Sequence, residues 1–337
     1  QLPLSHTAER GALLLQKAGF LMDAERFEEA RDCFAQVAGL APGSAGPQNG
    51  LAAAHARLGQ LDAAIAAYEK SLRFKPDDPA TGIHLACVLL QAGEPARALR
   101  LTSEAVSQMA RDQAALAVHE LALRANDDPR AERLADYERH IQIFDLEPPP
   151  GFSTMAQFNA ALDAYLDTMH TDLREPVDQT LRHGTQTAPS LLRGRNALLG
   201  ALRQRIEEAV GAYITRMPND EDHPLTARRG AGFAFAGSWS SRLHDRGFHA
   251  NHVHPEGWIS SCYYVTVPDA ALDLSAKQGW IKFGEPSFDI AMQDVMRRTV
   301  QPVPGRLVLF PSYMWHGTTS FHSATARTTI AFDAIPA

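Results

Sequence analysis

Pro304-Gly305-Arg306-Leu307-Val308-Leu309-Phe310-Pro311-Ser312, followed by Trp315-His316 and, eleven positions later, by Arg327, is the most informative stretch of this chain. A short apolar run bounded by Pro-Gly and Pro-Ser predicts a strand over 306–310, and Arg327 opens a second over 327–331. Working outward, the same grammar of β-branched and aromatic residues between Gly, Pro and Asp predicts strands near 232–243, 258–267 and 279–283. Five short strands in about a hundred residues define a β-sandwich or barrel. Ahead of the second strand lies Phe248-His249-Ala250-Asn251-His252-Val253-His254-Pro255. Alternation in an extended chain puts His252 and His254 on one side, so both imidazoles can face one metal.

The order strand, His316, Arg327 resembles the double-stranded β-helix (jelly-roll) oxygenases that use Fe(II) and 2-oxoglutarate, in particular their prolyl-hydroxylase-like members. The resemblance implies His252, His254 and His316 as metal ligands and catalytic centre, Arg327 as anchor of the far carboxylate of 2-oxoglutarate, and Tyr264 and Thr329 as further cosubstrate contacts. A guanidinium suits that task because its planar fork holds a carboxylate through two hydrogen bonds. An Arg on a strand among Thr, Ile and Ala also needs an anionic partner. More narrowly, the segments around His252 and His316, the Gly279–Phe283 strand and the Leu181–Thr187 loop look like a bacterial family of 2-oxoglutarate oxygenases that carry repeat domains. That likeness covers roughly residues 175–335. The facial triad of such enzymes has an acid two residues after its first His, and here that place is held by His254. Three readings stay open: His254 as ligand, His254 as hydrogen-bond partner of a ligand, and a three-His dioxygenase that needs no oxoacid. His244, His249 and His322 read as loop residues or groups behind the ligands, and Cys262 as a packing residue.

The first half is helical and periodic. Ala30, Phe34 and Pro42 recur as Ala64, Tyr68 and Pro76, a shift of 34 residues, and Ala98 continues the series with Thr102 and Ala110 in place of the aromatic and the proline. Leu58-Gly59 and Gly93 mark turns, with Glu25 in the corresponding place of the first copy. These residues resemble the tetratricopeptide repeat over about 8–110, which implies an α-solenoid whose stacked helix pairs share one core. Helix formers over 111–146 predict one more pair, and Glu147-Pro148-Pro149-Pro150-Gly151 ends it. The domains are thus expected at 1–146 and 152–337, with a linker at 147–151. The second domain is expected to hold supporting helices over 152–215, from a Ser153 or Thr154 cap to about His170 and from Leu191 to Ile214, and a barrel over 230–335. Between the helices, Gln179–Thr187 reads as a polar loop, either bordering the site or merely solvated.

The 337 residues, 45% hydrophobic and 21% charged, suit two globular domains. A net charge of -7 offers no general footprint for nucleic acid, and no stretch of roughly 18 apolar residues could span a membrane. Three scattered cysteines fit a reducing cytoplasm. The expected activity is hydroxylation of a peptide or protein recruited by the repeats, with Fe(II) and 2-oxoglutarate as cofactors and homo-oligomers possible. The rival from another class is an adaptor whose barrel binds metal without catalysis.

Overall fold

Four left-handed turns spaced by 34 residues set the rhythm of the N-terminal unit: Glu25, Gly59, Gly93 and Asp127 have φ of 56°, 70°, 75° and 51°. The same long backbone bond closes each turn, from Arg26 N–H to Leu21 O, Gln60 to His55, Glu94 to Leu89 and Asp128 to Leu123, all 2.8–3.0 Å. Glycine takes this conformation freely, whereas a Glu or Asp there costs about 1–2 kcal/mol. Glu25 therefore does occupy the turn position in the first repeat.

The computed structural model describes residues 4–171, 180–230 and 232–337. It divides into two compact units, one reaching Pro129 and including Phe288–Met292, the other comprising Arg130–Ser287 and Gln293–Ala337. In the first, α1 (Leu4–Asp23), α2 (Phe27–Leu40), α3 (Ala45–Arg57), α4 (Leu61–Phe74), α5 (Pro79–Gln91), α6 (Pro95–Gln108) and α7 (Gln113–Arg124) form an α-solenoid. Each helix packs on the next. Ala30, Ala64 and Ala98 are fully buried, because only a methyl group fits where paired helices approach closely. The expected fourth helix pair is not completed. After α7 the chain makes only α8 (Arg130–Leu134) and α9 (Tyr137–His140), then a strand, β1 (Gln142–Asp145).

That strand moves the domain boundary. β1 pairs antiparallel with β7 (Arg306–Pro311), Phe144 opposite Leu307 and Asp145 opposite Arg306, so the 147–151 prolines lie inside the second unit rather than between units. Arg306 fastens the pair with two bonds to the Asp145 carboxylate at 2.8 and 3.0 Å.

The second unit is a two-sheet jelly roll. Its larger sheet runs β1, β7, β4 (Ile259–Thr266), β9 (Arg327–Pro336), β3 (Phe233–His249) and β2 (Leu181–Gln186); the smaller runs β6 (Arg298–Val300), β5 (Ile281–Phe283) and β8 (His316–Thr318). Neighbouring strands are antiparallel throughout. The polar segment read as a loop is largely strand: Leu181–Gln186 lies along β3, with its turn-like irregularity at His183, where φ is 55°; Gln179 lies outside the described residues. Alternation was hidden there because both faces of β2 carry polar side chains. α10 (Met155–Asp167) is capped by Thr154, which accepts from Gln157 N–H, and backs β4 through the bond from Tyr263 Oη–H to Asn159 Oδ1 at 2.6 Å. α11 (Ala197–Arg216) starts later than expected, since Gly194 ends a single 3₁₀ turn at Leu191–Arg193 and Asn196 then caps the helix.

One buried pair gives a pH test of this unit. The His140 and His223 rings lie 5.0 Å apart, and burial, then the neighbouring His223, pushes His140 down to about 4. A neutral ring is favoured in the fold, whereas the unfolded chain takes up a proton near pH 6.5. Stability from His140 is thus complete above about pH 6.5 and is lost as the pH falls toward 4, by ~3 kcal/mol. Urea midpoints measured across pH 4–7 should fall steeply in the wild type and less so in His140→Gln; parallel curves would remove His140 as the cause.

Candidate metal centre

The chain brings His252 and His316 together through its backbone. β3 ends at His249, the chain turns, and His252 then forms an antiparallel bridge with the first residue of β8: His252 N–H donates to His316 O at 2.8 Å and His316 N–H to His252 O at 3.0 Å. Two residues on, His254 N–H donates to Ser312 O at 3.0 Å. Gly257 permits this close passage, because a Cβ there would collide with the Ser312 hydroxyl. The even spacing of His252 and His254 does put both rings on one side.

The three rings form a triangle, with centroids 4.3 Å apart for His252 and His316 and 5.0 Å for each other pair. Each ring is oriented by its Nδ1. His252 donates to Ala250 O at 2.7 Å, His316 to Met314 O at 2.9 Å and His254 to Asp333 Oδ2 at 2.7 Å. With every Nδ1 engaged, the Nε2 atoms are left for a shared ligand, and the Nε2 atoms of His252 and His254 approach to 3.0 Å. Potential ligand atoms of all three histidines lie within 4.8 Å of one another, the one such group among the described residues. Burial holds His316 well below its ordinary pKa and His252 at about 3, so both rings are neutral, the form that can donate to a metal. Neutral imidazoles suit Fe, Zn, Cu or Ni.

The rings border a cleft of about 390 Å³ whose wall includes Trp239, Ser241, His249, Arg327, Thr329 and Asp333. Arg327 is 1% exposed. Its Nη1 donates to Gly279 O at 2.6 Å, a carbonyl presented by a left-handed turn at φ 69°, while its Nε is buried with no partner. Tyr264 stands directly opposite Thr329 in the sheet, with its ring centroid 5.8 Å from the guanidinium carbon, and its buried hydroxyl is also unpartnered. A buried cation and a hydroxyl with unused donors, beside the cleft, form a cradle for an anion. Thr329 lines the cleft, its hydroxyl 3.5 Å from Ser241 O. Cys262 also lines it, but burial raises its thiol pKa, consistent with packing.

All six residues read from the sequence therefore gather around this cleft or directly behind its wall. Three others complete the surroundings. His249, read as a loop residue or a group behind the ligands, ends β3 and lines the cleft; burial, with Arg327 nearby, keeps it well below its ordinary pKa. Trp239 stacks 20° from coplanar with His254 at 5.8 Å. Asp333 holds His254. Parity carries the signal for Asp333: 327, 329, 331 and 333 share one face of β9, and all four line the cleft.

Known proteins divide the chain in the same manner. Residues 237–333 match the family model described as "Putative 2OG-Fe(II) oxygenase", and residues 21–83 match the tetratricopeptide repeat. The first half is thus similar to tetratricopeptide repeats and the C-terminal unit to the 2OG-Fe(II) oxygenases. Among curated proteins, cellulose synthase operon protein C of Pseudomonas fluorescens (strain SBW25) is 36% identical over 130 residues, 37% of this chain; the match spans 10% of that protein. Among solved structures, MamA from Desulfovibrio magneticus RS-1 is 20% identical over 35% of this chain and 67% of that one, with a TM-score of 0.34. The Yersinia enterocolitica type III secretion chaperone SycD, in complex with a peptide of the translocator YopD, is 26% identical over 37% and 93%, with a TM-score of 0.31. No helix among the described residues is long and apolar enough to cross a membrane.

Proposed function

We propose that the C-terminal unit is an Fe(II)- and 2-oxoglutarate-dependent dioxygenase that hydroxylates a peptide or protein substrate, and that the repeats recruit that substrate. The observation carrying this reading is the coexistence, in one cleft, of three imidazoles oriented through Nδ1 and a buried arginine with an unused donor. His252, His254 and His316 would hold the iron, and Arg327, Tyr264 and Thr329 the cosubstrate. Bound iron with 2-oxoglutarate supplies the oxidising chemistry. The protein's share is to orient: carbonyls and Asp333 aim the three rings, and the arginine fork would donate to the carboxylate. The substrate assignment rests on the solenoid, since stacked repeats offer extended grooves suited to peptides.

A three-His centre also fits dioxygenases that need no oxoacid, but it leaves Arg327 without an anion. Anaerobic addition of Fe(II) and 2-oxoglutarate to the full chain decides between them. A weak visible charge-transfer band, followed in air by succinate release, is the expected result; a metal-bound protein giving neither would replace this reading with the oxoacid-independent enzyme or the inactive adaptor.

A further inference from the structure

We propose that Asp333 supplies, from behind His254, the negative charge that a facial acid would place on the metal directly, and that it is the positioning residue governing metal affinity. This rests on reading the three histidines as a metal centre. The outer partners of the rings are unequal. His252 and His316 lean on the neutral carbonyls of Ala250 and Met314, whereas His254 alone donates to a carboxylate, at 2.7 Å. His254 is also the residue standing where the acid is expected, so the charge is displaced outward by one imidazole rather than lost.

The carboxylate is itself fixed. Asp333 faces Ser260 across the β4–β9 pair, and Ser260 Oγ donates to its Oδ1 at 2.7 Å. Ser260 and Ser312 hydroxyls lie 2.8 Å apart, and Ser312 O accepts from His254 N–H. Ring and backbone of His254 are therefore gripped by one buried network, in which Ser260 and Ser312 are fully buried and Asp333 is 8% exposed. A carboxylate behind an imidazole fixes its tautomer and raises its basicity toward the metal, and loss of such a partner typically weakens binding ~10–100-fold.

The test is Co(II) titration of the metal-free full chain, followed by the visible d–d absorption of the bound ion. Asp333→Asn keeps the size and removes the charge; its Co(II) Kd should rise ~10–100-fold, with a shifted d–d band. In a His254→Ala background the same change should add little, because the carboxylate then has no ring to act through. Thermal unfolding of the metal-free proteins reports any purely structural damage. A Kd within about twofold of wild type, or an equal penalty with and without His254, would overturn the role of Asp333. Wild type that binds no Co(II) would instead remove the metal centre, and this inference with it.

Discussion

His316→Ala is expected to abolish the Fe(II)–2-oxoglutarate absorption band and to stop succinate release. Removing a ligand from a three-nitrogen site leaves two donors, so affinity should fall further than the ~10–100-fold typical of losing an outer partner. The fold should survive. The bridge between His252 and His316 is made by backbone groups, so the imidazole can go without unpairing it. The lost packing against Phe310, whose ring is 4.6 Å away, lowers stability by about 2–4 kcal/mol at most, and His316→Gln limits that loss. Retention of the band in a folded variant would take His316 out of the site.

Arg327→Leu should separate cosubstrate from metal. Breaking a buried, hydrogen-bonded charge pair costs ~2–5 kcal/mol, which corresponds to a rise of roughly thirty-fold to several thousand-fold in the KM for 2-oxoglutarate. Co(II) affinity should change little, because Arg327 is not among the ring partners. The cosubstrate-free protein should change little in stability, since the desolvation cost of a buried cation that lacks its anion is removed while its bond to Gly279 O is lost. Arg327→Lys should not rescue, because a lysine lacks the planar fork. An unchanged KM alongside intact folding would sink the anchor role and favour an oxoacid-independent reaction.

The fold is legible in the sequence where periodicity is strong. The 34-residue repeat located the helix pairs, and even the Glu25 turn obeyed it at φ 56°. The strands bearing Tyr264, Arg327 and Thr329 were legible because apolar runs ended in Pro or Gly, and the three clustered histidines because a flanking strand accompanied each histidine segment. β1 was not legible. Four residues, Gln142–Asp145, give too short a pattern to show alternation, and the helix formers before them hid the change. β2 failed for a different reason, its polar residues being matched by polar partners on β3. Asp333 escaped notice because its importance lies in a bond to His254, 79 positions away, which only the pairing of β4 with β9 makes close.

The placement of β1 governs how the chain can be dissected. A fragment starting after the prolines would strip the outermost strand from the larger sheet and leave the backbone of Leu307, Val308 and Leu309 open along β7. A bare apolar edge of that kind recruits other chains and drives aggregation. Cutting at Arg130 retains the natural guard strand, together with the Asp145–Arg306 clasp that holds it. What looks like the tail of the helical half is therefore the edge protection of the catalytic candidate.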